Sequence, residues 1–149
     1  MIRRATFTTL LFISSLAAAH ESSLKVDVPD SAKAAAAVVD RFFAALSSGD
    51  LTQAGAQLDP DVIILESGGA EHSAAQFLGG HAKADAEFLK GAHHVLSRRT
   101  ARASGNVAWV ASESELHVQN DGKPSTIAST ETMVLRSGQD GWKIVNKTF

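Results

Sequence analysis

Four β-rich stretches, residues 95–103, 107–119, 126–136 and 142–149, follow one another with only short connectors between them, marked by Ser104-Gly105, Asn120-Asp121-Gly122 and Ser137-Gly138-Gln139-Asp140-Gly141. Joining two strands in parallel takes a crossover of a dozen or more residues, which none of these connectors supplies. The second half of the chain is therefore held to consecutive hairpins, an antiparallel meander with one face that something else must cover.

Asp121-Gly122 suits a two-residue primed turn, whose central residues both need positive φ. Asn120 then faces Lys123, and the period of two assigns every side chain of that hairpin to a face. Alternate residues from Val110 to Val118 and from Ser125 to Leu135 share the more aliphatic, less charged face, which is expected to look inward. The opposite face carries Val107 and Trp109. A five-residue loop at 137–141 sets Arg136 opposite Trp142, turns Val145, Lys147 and Phe149 inward, and brings Glu131 directly across from Lys147.

The first half supplies the cover. From Asp30, with Asp30 or Ser31 as cap, Val38/Val39, Phe42/Phe43 and Leu46 recur at the spacing of one helical face, and Gly49 ends the run. Asp50 caps a short second helix expected to reach Leu58, where Asp59-Pro60-Asp61 breaks it. Val62-Ile63-Ile64-Leu65 is too short and too β-branched for a helix and is expected as a buried strand, with Ala70 to His72 returning beside it. A third helix is expected over 73–90 with Leu78, Phe88 and Leu89 as its apolar stripe. Gly79-Gly80 loosens it, at roughly 1 kcal/mol per glycine against alanine.

Ahead of this domain, Arg3-Arg4, the apolar run Ala5 to Leu16 and Ala17-Ala18-Ala19 follow the order of an export signal. Spanning a bilayer takes about 20 predominantly apolar residues, and this run is shorter and diluted by Thr and Ser. The expected organisation is a signal peptide at 1–19, a flexible segment at 20–30 and a single domain at 31–149, in a periplasmic or secreted protein with no membrane attachment once the signal is removed. Residues 20–149 carry 12 basic and 16 acidic groups, which argues against nucleic acid and anionic membrane as partners. The chain has no cysteine, which excludes disulfides, thiol nucleophiles and cysteine metal sites. Metal-ligand spacing is lacking as well: no His-Glu-x-x-His occurs, and His93 and His94, adjacent in a strand, point to opposite faces. Neither a metal nor another cofactor is expected.

Two pairs can carry chemistry. His81 and Asp85 lie one helical turn apart, so the carboxylate can orient the imidazole as a general base; as a surface pair it only steadies the helix by about 0.2–0.5 kcal/mol. Glu131 and Lys147, opposite charges on an aliphatic surface, can hold a polar ligand group or tune each other's protonation. Equally, they can be a cross-strand ion pair worth roughly 0.2–1 kcal/mol.

The order helix, helix, strand, strand, helix and four antiparallel strands resembles the nuclear transport factor 2-like superfamily, which includes ketosteroid isomerase, SnoaL-like cyclases and the association domain of calmodulin-dependent kinase. Val39-Asp40-Arg41-Phe42-Phe43-Ala44-Ala45-Leu46-Ser47-Ser48-Gly49-Asp50-Leu51 resembles its opening helix and Gly-Asp break. Ser129 to Arg136 followed by Asp140-Gly141-Trp142-Lys143-Ile144-Val145 resembles its closing hairpin. The resemblance implies an α+β fold, a cone-shaped α+β barrel in which a curved antiparallel sheet wraps around an N-terminal helix pair and a third helix. It also implies a homodimer paired through the outer sheet face, where Val107, Trp109, Trp142 and Ile144 are expected. The chain departs from the superfamily in two places. It contains no tyrosine to act as an oxyanion donor in a ketosteroid isomerase-like site, and Asn146 and Thr148 stand where many relatives carry two histidines.

The scaffold hosts enzymes, binders and assembly modules alike. The expectation is an exported pocket protein holding a small, partly apolar molecule against Phe42, Leu46, Phe88, Leu116, Ile127 and Met133, with Glu131 and Lys147 for its polar group. A proton-transfer or hydrolytic enzyme using His81 and Asp85, or an assembly module with a filled interior, are the alternatives.

Overall fold

The computed structural model describes residues 23–149, so the signal peptide expected over 1–19 lies outside the described residues. In chain order the elements are strand β1 (Lys25–Asp27), helices α1 (Asp30–Ser48) and α2 (Leu51–Ala56), and strands β2 (Leu58–Glu66) and β3 (Gly69–Glu71). Helices α3 (Ala74–Gly79) and α4 (His81–Lys90) follow, then strands β4 (His93–Ser104), β5 (Val107–Asn120), β6 (Lys123–Gly138) and β7 (Gly141–Thr148). The strands form one curved sheet in the order β1-β4-β5-β6-β7-β2-β3. It stays unclosed, with β1 and β3 at its edges, and the helices pack against its inner face.

Strands β4 to β7 are the expected meander. Asp121 and Gly122 have φ of 51° and 74°, and Asn120 pairs with Lys123, so the hairpin register follows from its turn as expected. Two strands add in parallel, β2 against β7 and β1 against β4. The second of these draws residues 25–27, within the segment expected to be flexible over 20–30, into a strand. Within that segment β1 is fixed at the sheet edge by Arg102, whose guanidinium donates to Asp27 Oδ2 at 2.7 Å and Oδ1 at 3.2 Å.

Local chemistry sets the helix ends. Helix α1 starts after Pro29, whose side chain offers no cap, so neither Asp30 nor Ser31 holds that position. Gly49 closes α1 at φ 79°, its N–H donating to carbonyls of the last turn, a left-handed geometry that glycine adopts at little cost. Asp50 then caps α2, its carboxylate accepting from Gln53 N–H at 2.9 Å. Leu58 belongs to β2, not to α2, and Asp59-Pro60-Asp61 sit inside that strand, where a register shift between Leu58 and Ile63 accommodates a proline without a ladder hydrogen bond. The third helix is two helices. Gly80, at φ −120° and ψ −104°, leaves the helical region between α3 and α4.

The core lies between α1, α3 and the inner sheet face, where Phe42, Phe77, Ile64, Met133, Leu135 and Ile144 are the bulkiest fully buried side chains. Each such burial contributes roughly 1.5–3 kcal/mol. Phe42 and Phe77 meet with ring centroids 6.2 Å apart, so α3 is pinned to α1 by an aromatic pair. Ile144 was expected on the outer face, yet it is completely buried opposite Leu135. The outer apolar surface therefore centres on Val107 and Trp109, which stay exposed, and Trp142 packs at the edge of the core.

Ile144 changes face because the β6–β7 loop is shorter than five residues. Gly138 pairs with Gly141 around a two-residue turn, which places Ser137, not Arg136, opposite Trp142. A second register shift between Val134 and Leu135 then leaves Val145 without a partner in the ladder. Each offset moves the count by one, and together they return Lys147 to the inner face, paired with Met133. Glu131 is its diagonal neighbour and does not stand directly across from it.

Candidate functional site

A cavity of about 320 Å³ lies between the helices and the inner sheet face, within the range of small-molecule sites. Helix α1 supplies Phe42, Phe43 and Leu46, helix α4 supplies Phe88 and Leu89, and Leu96 and Leu116 rise from the sheet. Phe43 packs against His94 with ring centroids 4.1 Å apart and planes tilted by 36°. Burial holds the His94 imidazole below the usual histidine range, and the Arg99 and His93 charges add to that. His93 points to the other face and stacks on His117, as expected of adjacent strand residues.

The polar part of the wall is ordered by the sheet. Arg99 of β4, Ser112 of β5 and Glu131 of β6 are successive partners in the ladder, so one rung crosses three strands as guanidinium, hydroxyl and carboxyl. Lys147 of β7 completes it, its ammonium 3.7 Å from Glu131 Oε2 and 3.3 Å above the centre of the Phe149 ring. Ser114 and Ser129, partners one inward step along, extend the polar strip.

Burial governs the charges here. Glu131 is held above the usual carboxyl range, chiefly by desolvation, against which Lys147 and Arg99 pull. Desolvation likewise lowers the Lys147 ammonium, opposed by the charges of Glu131, Asp85 and Glu66. Asp85 in the cavity wall and Glu66 at the end of β2 are raised by burial as well.

Arg99 and Ser112 are more than nine-tenths buried, yet among the described residues Arg99 Nε and Nη1 and Ser112 Oγ have no hydrogen-bond partner. Asp40 Oδ1 approaches Nη1 to 3.1 Å without the alignment of a hydrogen bond, and the Asp40 side chain is 65% exposed.

Of the side chains singled out by sequence, Phe42, Leu46, Asp85, Phe88, Leu116, Glu131 and Lys147 line this cavity. Met133 lies beneath it in the core, and Ile127 is exposed near the tip of the β5–β6 hairpin. His81 turns away from Asp85: its Nδ1 pairs with Glu71 Oε1 of β3, and that hydrogen bond raises the imidazole above its usual range. Asp85 and His81 are thus not hydrogen-bonded, and the imidazole is not part of the cavity wall. Arg99 was not singled out, and a bulge explains why. Strict alternation from Leu96 would turn Arg98 inward, but the register shift between Leu96 and Arg98 sends Arg98 out to Glu113 and Arg99 in to Ser112.

Among the described residues no three His, Asp or Glu side chains converge as a metal site, and no helix is long and apolar enough to cross a membrane. The model of the SnoaL-like domain family matches residues 35–149. No curated protein matches the chain. Among solved structures, a candidate ketosteroid isomerase from Shewanella frigidimarina superimposes with a TM-score of 0.76 at 29% identity, over 85% of this chain and 98% of that one. A candidate calcium/calmodulin-dependent protein kinase II association domain from Xanthomonas campestris gives 0.66 at 24% identity, over 85% and 93%. An NTF2-like protein with a cystatin-like fold from Novosphingobium aromaticivorans gives 0.68 at 16% identity, over 79% of each chain. The last two share the fold.

Proposed function

The chain belongs to the SnoaL-like domain family, and we propose that it is a pocket protein that holds a small, partly apolar molecule between α1, α4 and the sheet. The observation that carries this reading is the cavity itself: apolar walls around a short polar rung, the composition of small-molecule sites in general. An assembly module with a filled interior has no use for such a space. The resemblance to an isomerase candidate at 29% identity supports the same reading.

Proton transfer is the second reading, favoured by two carboxyl groups in the wall, Asp85 and Glu131, that burial shifts toward the neutral form. On this reading they take the place of the His81–Asp85 pair, because His81 is engaged by Glu71.

The proposal includes export, with cleavage near Ala19, and pairing of two copies through the outer face around Val107 and Trp109. N-terminal sequencing of the secreted form and analytical ultracentrifugation test these two points. The pocket itself is tested with N-phenyl-1-naphthylamine, a neutral apolar fluorophore. It should brighten with the native protein and less with Leu116→Trp, whose indole takes up part of the cavity. Equal fluorescence from both proteins, or none from either, refutes the pocket reading.

A further inference from the structure

We propose that the cavity takes a ligand bearing a single carboxylate, held by Arg99 and Ser112, with the apolar body of the ligand lying along Leu96, Leu116 and Phe88. This rests on the pocket reading above and adds the chemical class of the occupant.

Among the described residues, three buried donors of the cavity-lining Arg99 and Ser112 have no hydrogen-bond acceptor: Arg99 Nε and Nη1, and Ser112 Oγ. Buried polar groups are nearly always paired, because an unmet donor forfeits its hydration and receives nothing in return. A guanidinium presents its N–H bonds along each edge as a fork that matches the two oxygens of a carboxylate, and Nη2 shares one such edge with Nη1 and the other with Nε. Ser112 is the ladder partner of Arg99, so its unpaired hydroxyl rises from the neighbouring strand on the same face and is offered to the same group as a third donor. The other cation of the wall, Lys147, sits between the buried Glu131 and the Phe149 ring, whereas the acid beside Arg99, Asp40, is 65% exposed and reaches Nη1 at 3.1 Å without hydrogen-bond alignment.

The surrounding charges select among anions. Asp40, Asp85 and Glu131 share the wall with Arg99 and Lys147, so a dianion such as a phosphate monoester would add a second negative charge next to three acids. A monoanion adds one negative charge fewer to that wall. The apolar side chains around the fork exclude water and strengthen the pairing, and they demand an aromatic or aliphatic body attached to the carboxylate.

Isothermal titration calorimetry with 4-phenylbutyrate, 4-phenylbutyramide and 3-phenylpropylphosphonate tests this on the native protein. The carboxylate should bind at least tenfold more tightly than the amide and more tightly than the phosphonate. In Arg99→Met the carboxylate preference should vanish while amide affinity stays within about twofold, and Ser112→Ala should reduce the preference severalfold. Thermal unfolding verifies that each variant is folded, and Arg99→Gln serves the same purpose should the methionine variant not fold. Equal binding of carboxylate and amide to the native protein, a preference that survives loss of the guanidinium, or tightest binding of the phosphonate overturns the assignment while leaving the pocket reading intact. Failure of all three compounds to bind overturns both.

Discussion

Lys147→Met removes the ammonium that lies 3.7 Å from Glu131 and leaves that carboxyl in a wall where its own side-chain exposure is 19%. At an effective dielectric of about 20 the attraction at this distance is about 4 kcal/mol, and most of it offsets the cost of taking both charges out of water. What the variant exposes is that uncompensated cost. We expect a loss of about 3 kcal/mol in urea unfolding at neutral pH, or roughly 10 °C in Tm. Glu131→Leu should cost about 2 kcal/mol, less because Asp85 and Glu66 also favour the Lys147 charge. The double variant should also cost about 2 kcal/mol, giving a coupling energy of about 3 kcal/mol. The pH dependence has a definite sign. The folded state holds the Glu131 proton more tightly than the unfolded chain does, since its carboxyl is raised from 4.5. Stability linked to it is complete below 4.5 and is lost as the pH rises through the folded value. With Lys147 gone that loss grows, so the penalty of Lys147→Met should shrink steadily on acidification toward pH 4.5. A coupling energy below about 0.5 kcal/mol, or a penalty that does not change with pH, would refute this account of the rung.

Three further outcomes follow from other parts of the fold. Arg102→Ala should speed amide exchange in β1 by about an order of magnitude while leaving the global urea midpoint little changed, because the Asp27 contacts are exposed. Asp50→Ala should cost about 1 kcal/mol in urea unfolding through the lost cap on Gln53 N–H, and Asp50→Asn should recover most of it. The His81 imidazole should titrate above its usual range by NMR and fall back in Glu71→Gln; the stability tied to its charged form is complete below 6.5 and fades as the pH rises through the folded value. A His81 titration that ignores Glu71→Gln would show that the pair does not form in solution.

The parts of this protein that local chemistry decides are legible without coordinates. Asp121-Gly122 admits one turn type, and that turn fixes every partner between β5 and β6, so the inward positions of Ser112, Leu116 and Glu131 follow from two residues. Gly49 and Asp50 end one helix and begin the next by the same kind of local logic. Tertiary structure decided what depends on how distant strands fit a curved sheet. Bulges near Ser97 and Val145 absorb that curvature, and nothing in the surrounding residues marks where they fall. One bulge selects Arg99 over Arg98 for the cavity, and the other returns Lys147 to the inner face. The parallel docking of β1 and β2 and the turn of His81 toward Glu71 likewise bring together segments whose proximity only the folded chain creates. A period-two pattern states that neighbours alternate, but a single inserted residue reverses every face beyond it, and the energy that places the insertion comes from packing across the whole sheet.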